Sequence, residues 1–105
     1  MAGSVELWDS VRQKIISDYD AHSQSVNKIR LSGDGKLIAT AGVDKFFPET
    51  RSIKIWNLKA QQLQAIDTYT TTIENLKFSD DIKEVIAIVT DGKIFRTRRI
   101  NYKCL

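Results

Sequence analysis

The chain has few of the residues from which disulfide and metal sites are built. Among its 105 residues there is one cysteine, Cys104, and one histidine, His22. A lone cysteine excludes an intrachain disulfide and a cysteine-based zinc site, and a lone histidine excludes a site made of several imidazoles. The Gly-Asp-Gly segment at residues 33–35 is typical of a turn and lacks the pattern of a phosphate-binding loop. We therefore expect neither a metal nor a cofactor.

Long apolar runs and a strong charge of one sign are also missing. No segment approaches the roughly 20 apolar residues that span a bilayer. The first ten residues contain Glu6 and Asp9, which is unlike a secretory signal peptide. The net charge of +3 is only mildly basic and favours a solvated surface over a nucleic-acid footprint. These features predict a cytoplasmic protein that does not contact a membrane and is not expected to bind nucleic acid.

What the chain does contain is an internal repeat. The segment that begins at Val26, VNKIRLSGDGKLIATAGVD, aligns with the segment that begins at Ile73, IENLKFSDDIKEVIAIVTD, at a shift of 47 residues. Independently, SVELWD at residues 4–9 aligns with SIKIWN at residues 52–57 at a shift of 48. If residues 45–51 are an insertion, the period is about 41 residues, which lies in the range of four-stranded propeller blades.

Within each unit the apolar residues follow the spacing of β-strands. Val26, Ile29 and Leu31 are interleaved with polar residues, and Ile53 and Ile55 alternate with a lysine. This spacing predicts strands at residues 4–9, 12–18, 25–31, 37–42, 52–57, 61–67, 71–78, 85–90 and 93–98. The pattern therefore predicts an all-β protein.

These residues resemble WD-repeat β-propellers, and in style the middle unit is similar to repeats of bacterial multi-repeat proteins. The unit reads AHSQSVNKIRLSGDGKLIATAGVD, then the insertion, then SIKIWNL. Ala21-His22 stands where the family has Gly-His, and Trp56-Asn57 where it has Trp-Asp, whereas Trp8-Asp9 is intact. The resemblance implies four-stranded antiparallel blades. It divides the chain into a half blade at residues 4–18, a full blade at 25–67 with the insertion at 45–51, and a degenerate terminal blade at 71–105.

The resemblance also implies a structural hydrogen-bonded tetrad at one rim of the full blade. It maps onto His22, Thr40, Asp44 and Trp56. In an antiparallel meander, the loop before the first strand and the loop after the second lie at the same end, so His22 and Asp44 can meet. In the third unit the matching residues are Tyr69, Ala87, Asp91 and Thr97, which cannot form the same network because the indole donor is missing.

A catalytic interpretation of the same residues is the competing hypothesis. In it, a hydroxyl from Thr40 or a serine would be the nucleophile, His22 the base, and Asp44 the group that orients the base. No strand–turn–helix elbow and no oxyanion loop accompany them in the sequence. We therefore expect a protein that is not an enzyme.

Two segments are candidates for partner binding. The insertion carries Phe46, Phe47 and Arg51, and its phenylalanines either form an exposed anchor for a partner or fold back on a neighbouring blade. The second segment, FRTRRINYK, carries Arg96, Arg98 and Arg99 and extends to Lys103. It either binds the phosphates of a nucleic acid or an acidic partner, or is a solvated edge strand protected by charge.

The strand count amounts to about two and a half blades, whereas closed propellers have about four to eight. An open array leaves apolar faces in water, because a single repeat cannot bury its own face. We therefore expect an incomplete ring, which is either a C-terminal part of a larger propeller or a segment whose copies associate. The predicted function is a non-catalytic scaffold for protein–protein interaction, and the predicted partners are other proteins, other blades or further copies of the chain.

Overall fold

The computed structural model describes residues 3–9, 11–46, 48–69, 71–89 and 94–96. These residues form antiparallel β-strands and no helix, so the predicted all-β class is confirmed. The described part of the chain thus offers no helix with the length and apolar character that crossing a membrane requires. In chain order the strands are β1 (Gly3–Asp9), β2 (Lys14–His22), β3 (Ser25–Leu31), β4 (Leu37–Phe46), β5 (Glu49–Asn57), β6 (Gln62–Tyr69), β7 (Ile73–Phe78), β8 (Val85–Val89) and β9 (Ile94–Arg96).

The strands form three separate sheets, and within each sheet every strand pairs with the one that follows it in the chain. Sheet 1 has the order β1-β2, sheet 2 has the order β3-β4-β5-β6, and sheet 3 has the order β7-β8-β9. All described pairings are antiparallel. The three sheets pack on one another with sheet 2 in the middle, since its two faces belong to two different core clusters.

Two hairpin turns of the repeat are built in the same way. In sheet 2, the Ser32 hydroxyl donates to Asp34 Oδ1 at 2.6 Å and accepts from the Leu37 amide at 2.9 Å. In sheet 3, the Ser79 hydroxyl donates to Asp81 at 2.6 Å and accepts from the Glu84 amide at 3.0 Å. The Ser-x-Asp sequence therefore closes both turns through side-chain bonds to the backbone.

The two faces of sheet 2 are chemically different. Alternation along β4 and β5 directs one set of side chains to sheet 3, where an apolar cluster forms. That cluster contains Leu37, Ala39, Ala41, Ile53, Ile55, Ile73, Leu76, Val85, Ala87 and Val89. The opposite face meets sheet 1 through a smaller cluster of Val5, Ala21, Ile38 and Trp56. Polar side chains, described below, occupy the rest of that face.

Within the predicted insertion at residues 45–51, the structure continues the two strands of the hairpin. Lys45 pairs with Thr50, and Phe46 pairs with Glu49. The β4–β5 hairpin thus extends beyond the Val43–Arg51 pair. A register shift between Val43 and Lys45 marks the place where the extension starts.

Candidate functional site

A cluster of polar side chains lies where sheet 1 meets one end of sheet 2. His22 is the last residue of β2, Thr40 and Asp44 lie on β4, and Trp56 lies on β5. His22 and Thr40 are fully buried, and Trp56 is 7% exposed. The structure therefore brings all four residues of the tetrad suggested by the resemblance into one contiguous group.

The four side chains are joined in a continuous chain of hydrogen bonds. Trp56 Nε1 donates to Thr40 Oγ1 at 3.0 Å. Thr40 Oγ1 lies 2.9 Å from His22 Nε2, and His22 Nδ1 lies 3.1 Å from Asp44 Oδ1. An indole can only donate and a carboxylate can only accept, so the donor and the acceptor are known at both ends of this series of hydrogen bonds.

This series of hydrogen bonds determines which ring nitrogen of His22 carries the proton. The His22 Nδ1–H donates to the Asp44 carboxylate, so in the neutral ring Nε2 is an acceptor. The Thr40 hydroxyl then accepts from Trp56 and donates to His22 Nε2. With this assignment, every polar hydrogen of the Trp56, Thr40 and His22 side chains has an acceptor, as their burial requires.

Two further residues complete the cluster, and the sequence interpretation missed both. The Ser52 hydroxyl donates to Asp44 Oδ2 at 2.6 Å, and Lys54 Nζ lies 3.4 Å from Asp44 Oδ1. Lys54 Nζ also donates to the Ala21 carbonyl oxygen at 3.0 Å, which ties β5 to β2. The two-residue alternation of β5 was the signal available, because it places residues 52 and 54 on the same face as Trp56.

Burial and charge act in opposite directions on the two titratable groups at the centre. Burial lowers the pKa of His22, and the hydrogen bond to Asp44, which acts in the other direction, does not offset it. Burial alone would raise the pKa of Asp44. Hydrogen bonds from Ser52 and His22, together with the charge of Lys54, outweigh that effect and hold the pKa of Asp44 below its usual value. The cluster therefore favours a neutral imidazole beside an ionised carboxylate.

Gly42 provides the space that this arrangement needs. A Cβ at this position would overlap the backbone carbonyl oxygen of Ser25 and would lie 2.8 Å from Cγ of His22. The β3 backbone and the imidazole thus approach β4 at a point where no side chain is present. Any larger residue at position 42 would force the imidazole or β3 to move.

Sheet 1 covers the indole of Trp56 with an aromatic ring. The ring centroids of Tyr19 and Trp56 are 4.7 Å apart, with an interplanar angle of 42°. The Tyr19 hydroxyl is buried without a hydrogen-bond partner among the described residues, and burial raises the pKa of Tyr19 to about 12. Tyr19 therefore acts in this contact mainly through its ring.

In sheet 3 the matching position of Thr40 is Ala87, which is fully buried in the apolar cluster. The side chain of Tyr69, together with Asp91 and Thr97, lies outside the described residues. Of these four positions, the structure therefore describes the side chain of Ala87 alone, where a methyl group takes the place of the Thr40 side chain.

Two of the candidate partner-binding residues are described with their side chains. Phe46 is 52% exposed near the end of the β4–β5 hairpin. Arg51 Nε donates to Glu49 Oε2 at 3.0 Å. Phe47, Arg98, Arg99 and Lys103 lie outside the described residues, and for Arg96 only the backbone, in β9, is described. The proposed basic segment accordingly stays a prediction.

The part of the chain that the structure describes contains no group of three or more His, Cys, Asp or Glu side chains arranged to hold a metal ion. The polar cluster itself pairs its one carboxylate with a lysine, a serine and the imidazole. Its chemistry is that of an internally satisfied hydrogen-bond network.

No family model matches the chain. Among curated proteins, the chain is similar to autophagy-related protein 18 of Debaryomyces hansenii, a WD-repeat propeller protein, with 29% identity over 96 residues. The aligned segment is 88% of this chain and 16% of that protein, so the chain spans less than a fifth of the length of its relative. This similarity is consistent with a distant WD-repeat relationship.

Proposed function

We propose that the chain is part of a WD-repeat β-propeller and acts as a non-catalytic scaffold for protein–protein interaction. Three features support the propeller assignment: successive antiparallel meanders packed face to face, the network of His22, Thr40, Asp44 and Trp56, and the similarity to a much longer propeller protein. Propellers host many activities, so the function has to be argued from a surface of this chain.

The observation that carries the scaffold proposal is the exposed phenylalanine on a braced hairpin. The β4–β5 pairing continues to Phe46 and Glu49, and at its base the Ser52 hydroxyl bonds to Asp44. Aromatic side chains concentrate binding energy at protein interfaces. Because the backbone of Phe46 is already paired with that of Glu49, little conformational entropy of this residue's backbone is lost when a partner binds. The hairpin end around Phe46 is therefore the proposed contact surface.

Burial of the tetrad supports the non-catalytic part of the proposal. A nucleophile must reach its substrate, whereas the Thr40 side chain is fully buried and already accepts from Trp56. His22 is 1% exposed, and both of its ring nitrogens have partners within the chain. A network of this kind is suited to holding the connection between β2 and β3 against β4.

Photo-crosslinking from two exposed positions tests the scaffold proposal. A photoreactive phenylalanine analogue replaces either Phe46 or Val11, and the full chain is irradiated in extracts of cells that express it. Val11 is 90% exposed in the β1–β2 turn, which the meander places at the opposite end of the sheets, so it is the matched control. We expect a discrete adduct with a second protein from position 46 and none from position 11. Identical adducts from both positions, or none from either, would overturn the proposal.

A further inference from the structure

The outer edge of β6 has no partner strand in the part of the chain that the structure describes. Sheet 2 has the order β3-β4-β5-β6, and β6 pairs with β5 alone among the described strands. Between two register shifts this pairing is regular, from the Ser52–Asp67 pair to the Ile55–Gln64 pair. At an edge strand, a row of backbone N–H and C=O groups points away from the sheet, and another extended chain can pair with it.

The sequence of β6 gives this edge little protection. Strand edges in native proteins are commonly protected by lysines, prolines or several charged side chains. The sequence of β6 is QLQAIDTY, which has a single charged residue, Asp67. The repeat matches β6 to β2, where the same face of the strand carries Asp18 and Asp20. Ala65 stands at the position of Asp18, so in β6 a methyl group replaces the second carboxylate.

A polar cleft of about 370 Å³ lies on the face of sheet 2 that carries Ala65. Ala65 lines the cleft and is itself exposed. Because its side chain is a single methyl group, a side chain from a strand placed beside β6 can reach over it into the cleft. The charged groups of the lining are those of Lys45, Arg51, Lys54, Asp44 and Asp67.

These charges favour an uncharged amide as the group that enters the cleft. A cation would meet lysine and arginine there, and an anion would meet two carboxylates, and like charges brought together weaken binding. A carboxamide can donate to a carboxylate and accept from an ammonium group. In the described part of the chain, neither Lys45 nor Asp67 has a hydrogen bond or an ion pair, so both can bond to such an amide.

The other face of β6 favours aliphatic side chains. Ile66 pairs with Ile53, which belongs to the apolar layer between sheets 2 and 3, and Leu63 packs against the same layer. Both Ile66 and Leu63 are only partly buried. An aliphatic residue placed beside Ile66 on an added strand would extend this layer through a cross-strand contact.

We propose that β6 binds an extended segment of a partner protein by β-strand addition. The segment pairs with the backbone of β6, places a glutamine or asparagine opposite Ala65, and carries aliphatic residues on the side of Ile66. In this mode of recognition, main-chain hydrogen bonds give affinity and pockets for alternate side chains give specificity. The inference goes beyond the proposed function, because it concerns the edge of β6 rather than the hairpin end around Phe46.

A second copy of β6 does not have the side chains that this pattern requires. Side chains of a strand alternate between the two faces, so regular pairing brings together residues of the same face. Opposite Ala65, a second copy would therefore place its own Leu63, Ala65 or Asp67. None of these side chains has an amide.

Titration of synthetic peptides into the purified full chain, followed by NMR of its backbone amides, tests the proposal. The probe is acetyl-Thr-Val-Gln-Val-Thr-Val-Thr-amide, and related peptides carry lysine or glutamate in place of glutamine. We expect saturable shifts at β6 and around the cleft, with the glutamine peptide binding at least about threefold more tightly than the charged ones. Proline in place of the valine after glutamine removes a main-chain donor and should abolish binding.

Two variants of the chain make the same substitution at different places. Ala65→Asp restores the acid that β2 has at this position and places a second carboxylate beside Asp67, so it should weaken binding of the glutamine peptide at least about tenfold. Ala60→Asp adds the same charge in the β5–β6 turn and should bind like the unchanged chain. Backbone amides of β6 that point away from β5 should exchange hydrogen more slowly when the peptide is bound.

The proposal would be overturned by an absence of saturable binding, by shifts that lie away from β6, or by equal binding of the Ala65→Asp and unchanged chains. Shifts at β6 that depend on the concentration of the chain and not on the peptide would also overturn it, because they would show that a second copy occupies the edge. All these proteins keep Phe46, so a failure here is distinguishable from a failure of the crosslinking test.

Discussion

The two faces of sheet 2 hold their neighbours by different means. Toward sheet 3, the contact is a layer of aliphatic side chains around Leu76 and Ile53. Toward sheet 1, a small apolar patch is accompanied by a directional network from Trp56 through Thr40 and His22 to Asp44. Apolar burial is non-directional and sums over area, whereas a buried network depends on every member having a partner. The comparison therefore teaches that one face should lose stability in proportion to the apolar volume removed from it, whereas the other should lose stability when a single polar atom is removed.

The largest effect is expected on the apolar face. Leu76→Ala removes a side chain that is 1% exposed from the centre of the cluster and leaves a cavity. We expect the free energy of unfolding to fall by about 2–5 kcal/mol, measured by urea denaturation at one fixed protein concentration. The control is Ile29→Ala on β3, which removes a half-exposed side chain and should cost less than about 1 kcal/mol. Equal losses from the two variants would contradict the importance of this layer.

A smaller loss is expected from breaking the network. Thr40→Val keeps the size of the side chain but leaves the Trp56 indole N–H and His22 Nε2 without their partner. The expected cost is about 1–3 kcal/mol, whereas Thr72→Val at an exposed position should stay within about 0.5 kcal/mol.

Combining variants separates the two faces. Thr40→Val and Trp56→Phe remove the two ends of one hydrogen bond, so their costs should be non-additive by at least about 0.5 kcal/mol. Thr40→Val and Leu76→Ala act on opposite faces and should add within about 0.5 kcal/mol. Additivity in the first pair would show that the network does not act as a unit.

The hydrogen-bond network between sheet 1 and sheet 2 should also make the free energy of unfolding depend on pH. The folded state lowers the pKa of His22, so the unfolded chain binds that proton more tightly. Stability should therefore decrease as the pH falls below about 6.5, the ordinary value of the imidazole. The lowered pKa of Asp44 adds a second loss at more acidic pH, below the usual value of that carboxyl. The apolar face contributes no titrating group.

Thermal unfolding from about pH 8 to pH 5 checks this dependence. The midpoint of the unchanged chain should fall across this range, because burial of the neutral imidazole opposes its protonation. His22→Gln has no titrating side chain at this position and should give a flatter profile. Parallel profiles of the two proteins, or a gain of stability on acidification, would contradict the assignment of a neutral His22.

The repeat explains why so much of the fold could be predicted from the sequence. Apolar alternation and the Ser-x-Asp turns are local signals, and most strands begin and end close to where those signals place them. The exceptions are β2 and β4, which continue past their predicted ends to His22 and Phe46, and β5, which begins before its predicted start, at Glu49. Alternation along β5 places Ser52 and Lys54 on the face of Trp56, but it does not show that they contact Asp44, because that contact depends on how β4 and β5 pair.

The smallest expected effect is a gain, and it should be independent of both faces. Ala60 in the β5–β6 turn has a positive φ of 64°, in the left-handed region where a Cβ is unfavourable. Ala60→Gly removes that strain and should raise the free energy of unfolding by about 1 kcal/mol. Gly35→Ala makes the reverse change at a φ of 72° in the β3–β4 turn and should cost a similar amount. Because neither change touches the network or the aliphatic layer, the gain from Ala60→Gly should be the same in the unchanged, Thr40→Val and Leu76→Ala backgrounds. A gain that differs by more than about 0.5 kcal/mol between these backgrounds would show that the turn is coupled to one of the two faces.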